Sequence, residues 1–243
     1  MRIPVVDFET EEIVFGSGQA PKPVGVSIGW LDDDDSHHYY AFGHPTNNNC
    51  TEAEAKAALR KVWRPGTVFH HGKFDMSVAI EHWGFEWLDE FNDTMYLIYL
   101  DSPNAPTVSL KPSAQRILGL PPDEQDAVKD WLIQNGVVPS NSKEWGAKIC
   151  MAPGDLVGKY AVGDTVRTAR LFRHLYDSVI RRNMLPGYER EIKLAPILYQ
   201  AEFKGVRIDR DRLARDIPVF ETMLEQCENA IRARLGNHPI DRK

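Results

Sequence analysis

The chain has 243 residues, a formal net charge of −6, 42% hydrophobic and 26% charged residues, enough for one large domain or one domain with an appendage. No hydrophobic run approaches transmembrane length and the first residues lead straight into a strand pattern, so neither a membrane span nor a signal peptide is expected. Cys50, Cys150 and Cys227 are odd in number and without metal-ligand spacing, which argues against a disulfide framework and for reduced thiols in a cytosolic setting.

In chain order, Ile3, Val5 and Val6 open a short apolar run that predicts a strand through VVDFET. The two-residue side-chain period puts Asp7 and Glu9 on one face. At about 4 Å, two such charges repel by several kcal/mol in a partly buried site, and a shared proton or a bound metal relieves this. Taken alone, D-x-E is a weak motif that a solvated strand end explains more often than a metal site does. Val24 to Leu31 and His38 to Phe42 predict two antiparallel strands, joined by Asp32–Ser36 as a solvated hairpin tip. That acid run lacks the spacing of a calcium loop, and His37 and His38 read as surface residues. Thr51 caps a helix to about Val62, with Glu54 completing a capping box.

Thr67, Val68 and Phe69 then predict a buried strand, His70 to Lys73 a turn, and Phe74 to Ile80 the start of a helix. Asp75 falls in its first turn, where a carboxylate also suits the helix dipole. Residues 123–150 predict two short helices around Trp131 and Trp145, residues suited to a core, a lid or base stacking. From Gly154 to Arg182 the apolar positions Leu156, Tyr160, Val166, Leu171, Leu175 and Val179 recur at helical spacing. Tyr160 and Asp164, four apart, share one face of that helix. Beyond Pro186, Gly187 to Lys204 and Asp209 to Leu235 predict two long helices flanking Gly205–Ile208. The final HPIDRK reads more like a gene break than a packed end, and the chain fits a fragment of a longer polymerase and a natural short protein alike.

D-x-E on the first strand, F-D at Phe74–Asp75 and Y-x-x-x-D at Tyr160–Asp164 together resemble the DEDD superfamily of 3′-to-5′ exonucleases, in its tyrosine subtype. The closest resemblance is to the proofreading domain of bacteriophage-type family A DNA polymerases. Asn92 to Leu120, with D-T after a strand and S-L-K before a helix, is similar to the connecting region of that domain. Leu185 to Leu213 is similar to the start of the polymerase part, but no palm-type carboxylate pair follows. The resemblance implies an α/β, ribonuclease H-like exonuclease fold at 1–185, a mixed sheet flanked by helices, with a C-terminal helical extension at 186–243.

The resemblance further implies two divalent ions, Mg²⁺ or Mn²⁺, on Asp7, Glu9, Asp75 and Asp164. Asp7 would bridge both ions, Glu9 and Asp164 would complete the first set, Asp75 would hold the second through a water, and Tyr160 would orient the attacking water. Thr10, Ile13, His71 and Phe74 would contact the substrate, with Ile13 as an apolar wedge. The family usually carries Asn where His71 stands. A histidine there can still donate to a phosphate or carboxylate; it also leaves open a silent nucleic-acid-binding module. The expected substrate is a single-stranded or frayed DNA 3′ end, with RNA-end trimming as the alternative. A polymerase domain or replication proteins would meet the C-terminal helices, in a bacterial or phage-infected cytosol. Residues 1–164 hold 13 Lys and Arg against 24 Asp and Glu, and residues 165–243 hold 16 against 11. The acidic part is therefore the part that carries the metal-site motifs, where bound cations would admit phosphate.

Overall fold

The computed structural model describes residues 2–14, 16, 18–121 and 123–235. Its centre is a five-stranded mixed sheet of β1 (Pro4–Thr10), β2 (Pro23–Trp30), β3 (Asp33–Ala41), β4 (Val68–Phe69) and β5 (Asn92–Asp93), in the order β3-β2-β1-β4-β5. The first three strands are antiparallel and β4 and β5 add in parallel beyond β1. β1 takes the middle position because Val5, Val6 and Phe8 are all buried, so both of its faces are covered.

Among the described residues, seven α-helices accompany the sheet in its unit: α1 (Glu52–Val62), α2 (Gly72–Trp83), α3 (Thr94–Asp101), α4 (Leu110–Leu118), α5 (Asp123–Gln134), α6 (Gly154–Arg181) and α7 (Leu185–Lys204), with a 3-10 helix at Trp145–Met151; an eighth, α8 (Arg210–Leu235), follows in a separate unit. Thr51 and Glu54 close the expected capping box on α1, an arrangement in which the cap residue alone contributes about 1 kcal/mol. α6 crosses β1, β2 and β3. Its register is held by a 2.9 Å hydrogen bond between the Thr165 and Ser27 hydroxyls. Ser27 stands opposite Asp7 in the β1–β2 ladder, so the same contact aims α6 at the face that carries Asp7 and Glu9. On the other face, Phe8 meets Trp83 of α2 edge-on at 5.1 Å.

Two expectations are corrected in the β2–β3 hairpin. The turn is only Leu31–Asp32, and Asp33 to Asp35 lie in β3. Asp32 and Asp35 are exposed as a solvated tip would be, but the run is also tied down by ion pairs. Asp34 accepts from Arg170 at 2.8 Å and Arg173 at 2.7 Å, both on α6, while Arg2 reaches Asp32 at 3.0 Å and Asp33 at 2.9 Å. His38 is exposed as expected, but His37 is buried over Gly29, where a Cβ would lie 2.1 Å from its ring.

The compact unit runs from Met1 to Phe203, and Lys204–Lys243 forms a second unit. α7 packs within the first unit, where Tyr188, Ile192 and Ala195 are buried in its core. α8, with the exposed Leu213, Ile217, Phe220 and Leu224, is the helix of the second unit. HPIDRK lies outside the described residues. Among the described residues no helix is long and apolar enough to cross a membrane, and none of the three cysteines is in a disulfide.

Candidate active site

The C-terminal end of β1 carries Asp7 and Glu9, and the first half of α6 brings Tyr160 and Asp164 over them. One oxygen from each of Asp7, Glu9 and Asp164 lies within 4.8 Å of the others. Three carboxylates that close cannot all be ionised cheaply without a cation. Loss of solvent, followed by the neighbouring Asp164, raises Asp7 to about 8, with Lys111 pulling the other way. Glu9 is likewise raised well above the usual carboxylate range by burial and then by Asp7.

Asp75 stands beside this trio rather than within it. It is 1% exposed, and its Oδ1 accepts the Phe8 backbone N–H at 2.8 Å, which pins α2 to the segment between Asp7 and Glu9. Burial and then Asp7 raise its carboxyl too. Tyr160 is half-buried, with Trp145 edge-on at 6.4 Å. Burial and then Asp164 hold its hydroxyl well above its ordinary pKa, so it stays protonated. Trp131 and Trp145 both pack, half-buried, against the smaller core under Val128, Leu132 and Val157.

The substrate residues expected from the sequence gather around two hollows. A cavity of about 660 Å³ opens beside Glu9 and Thr10 and is walled by Ile13, Phe74 and Ile149. A second, of about 280 Å³, shares Ile13 and Phe74 and reaches His71 and Tyr199. Ile13, 47% exposed, therefore forms an apolar partition between them. His71 is the N-cap of α2 at φ 66°, ψ 45°. That left-handed conformation is uncommon for most residues but enriched for Asn and His alike, so the replacement of Asn by His preserves the backbone turn. Gly72, next in line, approaches Phe69 so closely that a Cβ would lie 2.8 Å from it.

Four further residues shape the site and were not singled out by the sequence. Asp93 accepts from the backbone N–H groups of His71 at 3.0 Å, Gly72 at 2.8 Å and Met95 at 2.8 Å, tying the α2 junction to the start of α3. His70, hydrogen-bonded to Thr94 at 2.9 Å, is kept neutral by burial, which pushes it down to about 3. Lys111, from α4, hydrogen-bonds the Asp164 carboxylate and lies 3.7 Å from the centre of the Tyr160 ring. Arg167 stands 3.7 Å from the other Asp164 oxygen. Asp93 and Lys111 both sit inside the D-T and S-L-K segments that carried the resemblance; Arg167 and His70 had no comparable signal.

No family model matches the chain. It is 26% identical over 202 residues to a DNA-directed DNA polymerase of Pseudomonas phage M6, covering 82% of this chain and 29% of that polymerase; it thus spans less than a third of that relative's length. Among solved structures, Brucella melitensis NrnC with bound Mg²⁺ superposes with a TM-score of 0.56 at 16% identity, over 84% of this chain and 86% of NrnC. NrnC bound to pGG matches equally well, with a TM-score of 0.56 at 17% identity. Escherichia coli RNase D, an exoribonuclease involved in structured RNA processing, gives 0.52 at 16% identity, over 82% of this chain and 45% of RNase D. The fold is the ribonuclease H-like exonuclease fold, with a helical C-terminal part, and the resemblance to the DEDD exonucleases extends from motifs to architecture.

Proposed function

We propose that the chain is a divalent-metal-dependent 3′-to-5′ exonuclease that releases nucleoside 5′-monophosphates from single-stranded or frayed DNA 3′ ends. The observation that carries this reading is the Asp7, Glu9 and Asp164 trio, with oxygens within 4.8 Å, one helical turn from the Tyr160 hydroxyl. An all-carboxylate donor set suits Mg²⁺ or Mn²⁺. Asp7, Glu9 and Asp164 would hold one ion, and Asp75 with Asp7 would serve a second. Bound there, such ions supply positive charge to the phosphodiester and make a water nucleophilic.

The protein's own groups do the rest. Tyr160, protonated, positions the attacking water by hydrogen bonding, and Asp75 fixes α2 against β1 so that the carboxylates hold their spacing. The cavity beside Glu9 and Thr10 receives the terminal nucleotide, Ile13 separates it from its neighbour, and Phe74 and the His71 ring border the strand behind it. The terminal nucleotide has to leave its partner strand to enter, which favours single-stranded or frayed ends. This reading includes a proofreading role, with a polymerase domain or replication protein meeting the C-terminal helices in a cytosolic setting; the phage relative, a DNA-directed DNA polymerase, suggests the role but not that partner.

RNA-end trimming is the second reading, supported by the likeness to RNase D and to NrnC bound to pGG. One experiment separates them: matched deoxyribo- and ribo-oligonucleotides, 5′-labelled, with Mg²⁺ or Mn²⁺, and with EDTA and Asp7→Ala as controls. The DNA reading expects a descending ladder and mononucleotides chiefly from the deoxyribo-oligonucleotide, abolished by EDTA and by Asp7→Ala. Faster loss of the ribo-oligonucleotide favours trimming. No mononucleotide from either strand, or full activity in Asp7→Ala, sinks both.

A further inference from the structure

Lys111 lies outside the carboxylate and tyrosine set, and its position calls for a reason. It is 9% exposed, and lysine is almost never buried unless paired. Its partner is the carboxylate of Asp164, one of the three groups that form the candidate metal site. The two come from different helices, 53 residues apart, so the contact is made by the tertiary fold and not by local chain geometry. Arg167 adds a second positive charge on the other Asp164 oxygen, at 3.7 Å.

An ammonium and a divalent ion on one carboxylate repel each other at close range. We infer that Lys111 is a resident counter-ion: it neutralises Asp164 in the metal-free site and has to be displaced from that carboxylate when a divalent cation binds the trio. The Tyr160 ring face, 3.7 Å from Nζ, is already in contact with the ammonium and gives it a place to stay when displaced. Lys111 therefore keeps three mutually repelling carboxylates folded together without metal, and by linkage it weakens the affinity for that metal. It is a positioning residue, acting on substrate only through Asp164. This inference rests on the trio being a metal site, as proposed above.

The test is calorimetric titration of Mn²⁺ into the wild-type protein, Lys111→Met and Lys111→Gln at fixed pH and ionic strength, with thermal unfolding of each with and without Mn²⁺. Both substitutions should tighten Mn²⁺ binding about tenfold, the order of what is released when no charged hydrogen bond to Asp164 has to be broken first. The metal-free variants should melt lower and gain more from Mn²⁺ than the wild type does. If Lys111→Met does not fold without metal, Lys111→Gln, which is one atom shorter but keeps a polar end, carries the test. Unchanged or weaker Mn²⁺ binding in a folded variant overturns the counter-ion role alone. Absence of Mn²⁺ binding to the wild type, or binding that survives Asp7→Asn undiminished, overturns the metal site itself.

Discussion

At the scale of single residues, the site's chemistry depends on groups kept away from their ordinary protonation. Asp7 has a folded pKa of about 8 against 3.8 for the free carboxyl, raised by burial and by Asp164. A group raised in this way favours the folded state when protonated, so its contribution is full below 3.8 and is lost as pH rises through about 8. In EDTA, the melting temperature should fall between about pH 4 and about pH 8, and Mn²⁺ should restore more at the alkaline end than at the acid end. A flat profile in EDTA, or an equal Mn²⁺ effect at both ends, would contradict the crowding of the trio. His71 makes a different demand, on the backbone. At φ 66° it should tolerate Asn with little change, whereas His71→Val should cost about 1–2 kcal/mol in urea unfolding, the penalty of a Cβ in the left-handed region. Equal stability of the two variants would show that the turn relaxes.

At the scale of elements, the parts legible in the sequence are those whose cause is local. The two-residue period of VVDFET placed Asp7 and Glu9 on one face of β1, the helical spacing from Leu156 to Val179 gave α6, and Thr51 with Glu54 gave the start of α1. What stayed hidden is what distant segments supply. Nothing near Asp34 announces Arg170 and Arg173, which lie 136 and 139 residues away, so the acid run read as solvated. Lys111 and Asp93 lay inside segments that the resemblance quoted, but their roles were not readable there, because Lys111 meets Asp164 on α6 and Asp93 meets the start of α2. Asp93 carries the sharpest consequence: it satisfies three backbone N–H groups at the α2 and α3 starts. Asp93→Ala should cost about 3 kcal/mol in urea unfolding, since each buried donor left without a partner costs roughly 1–3 kcal/mol. It should also lower exonuclease activity, because the α2 start that places Asp75 loses its anchor. A loss below about 1 kcal/mol would mean that water or another acceptor takes over.

At the scale of the whole molecule, the end of the sheet that carries the candidate site is tied to α7 through one hydroxyl. Tyr188, buried on α7, accepts the Asp93 backbone N–H at 2.8 Å and donates to Asn92 at 3.3 Å, so it fixes β5, whose Asp93 in turn fixes the start of α2 and thereby Asp75. The sequence could not reveal this, because Pro186 and the helical pattern after it look like a boundary, while the burial of Tyr188, Ile192 and Ala195 is decided by α7 docking onto the core. Cutting the chain after residue 185 would remove those three side chains and strip Asp93 and Asn92 of their partner, whereas cutting after residue 203 leaves the first compact unit whole. The longer fragment should unfold in a single cooperative transition in urea. The shorter one should melt at a lower temperature, bind a hydrophobic dye in the absence of denaturant, and show weaker Mn²⁺ binding than the longer fragment. If both fragments unfold at the same urea midpoint, α7 contributes nothing to the unit, and the path from Tyr188 through Asp93 to Asp75 does not support the site.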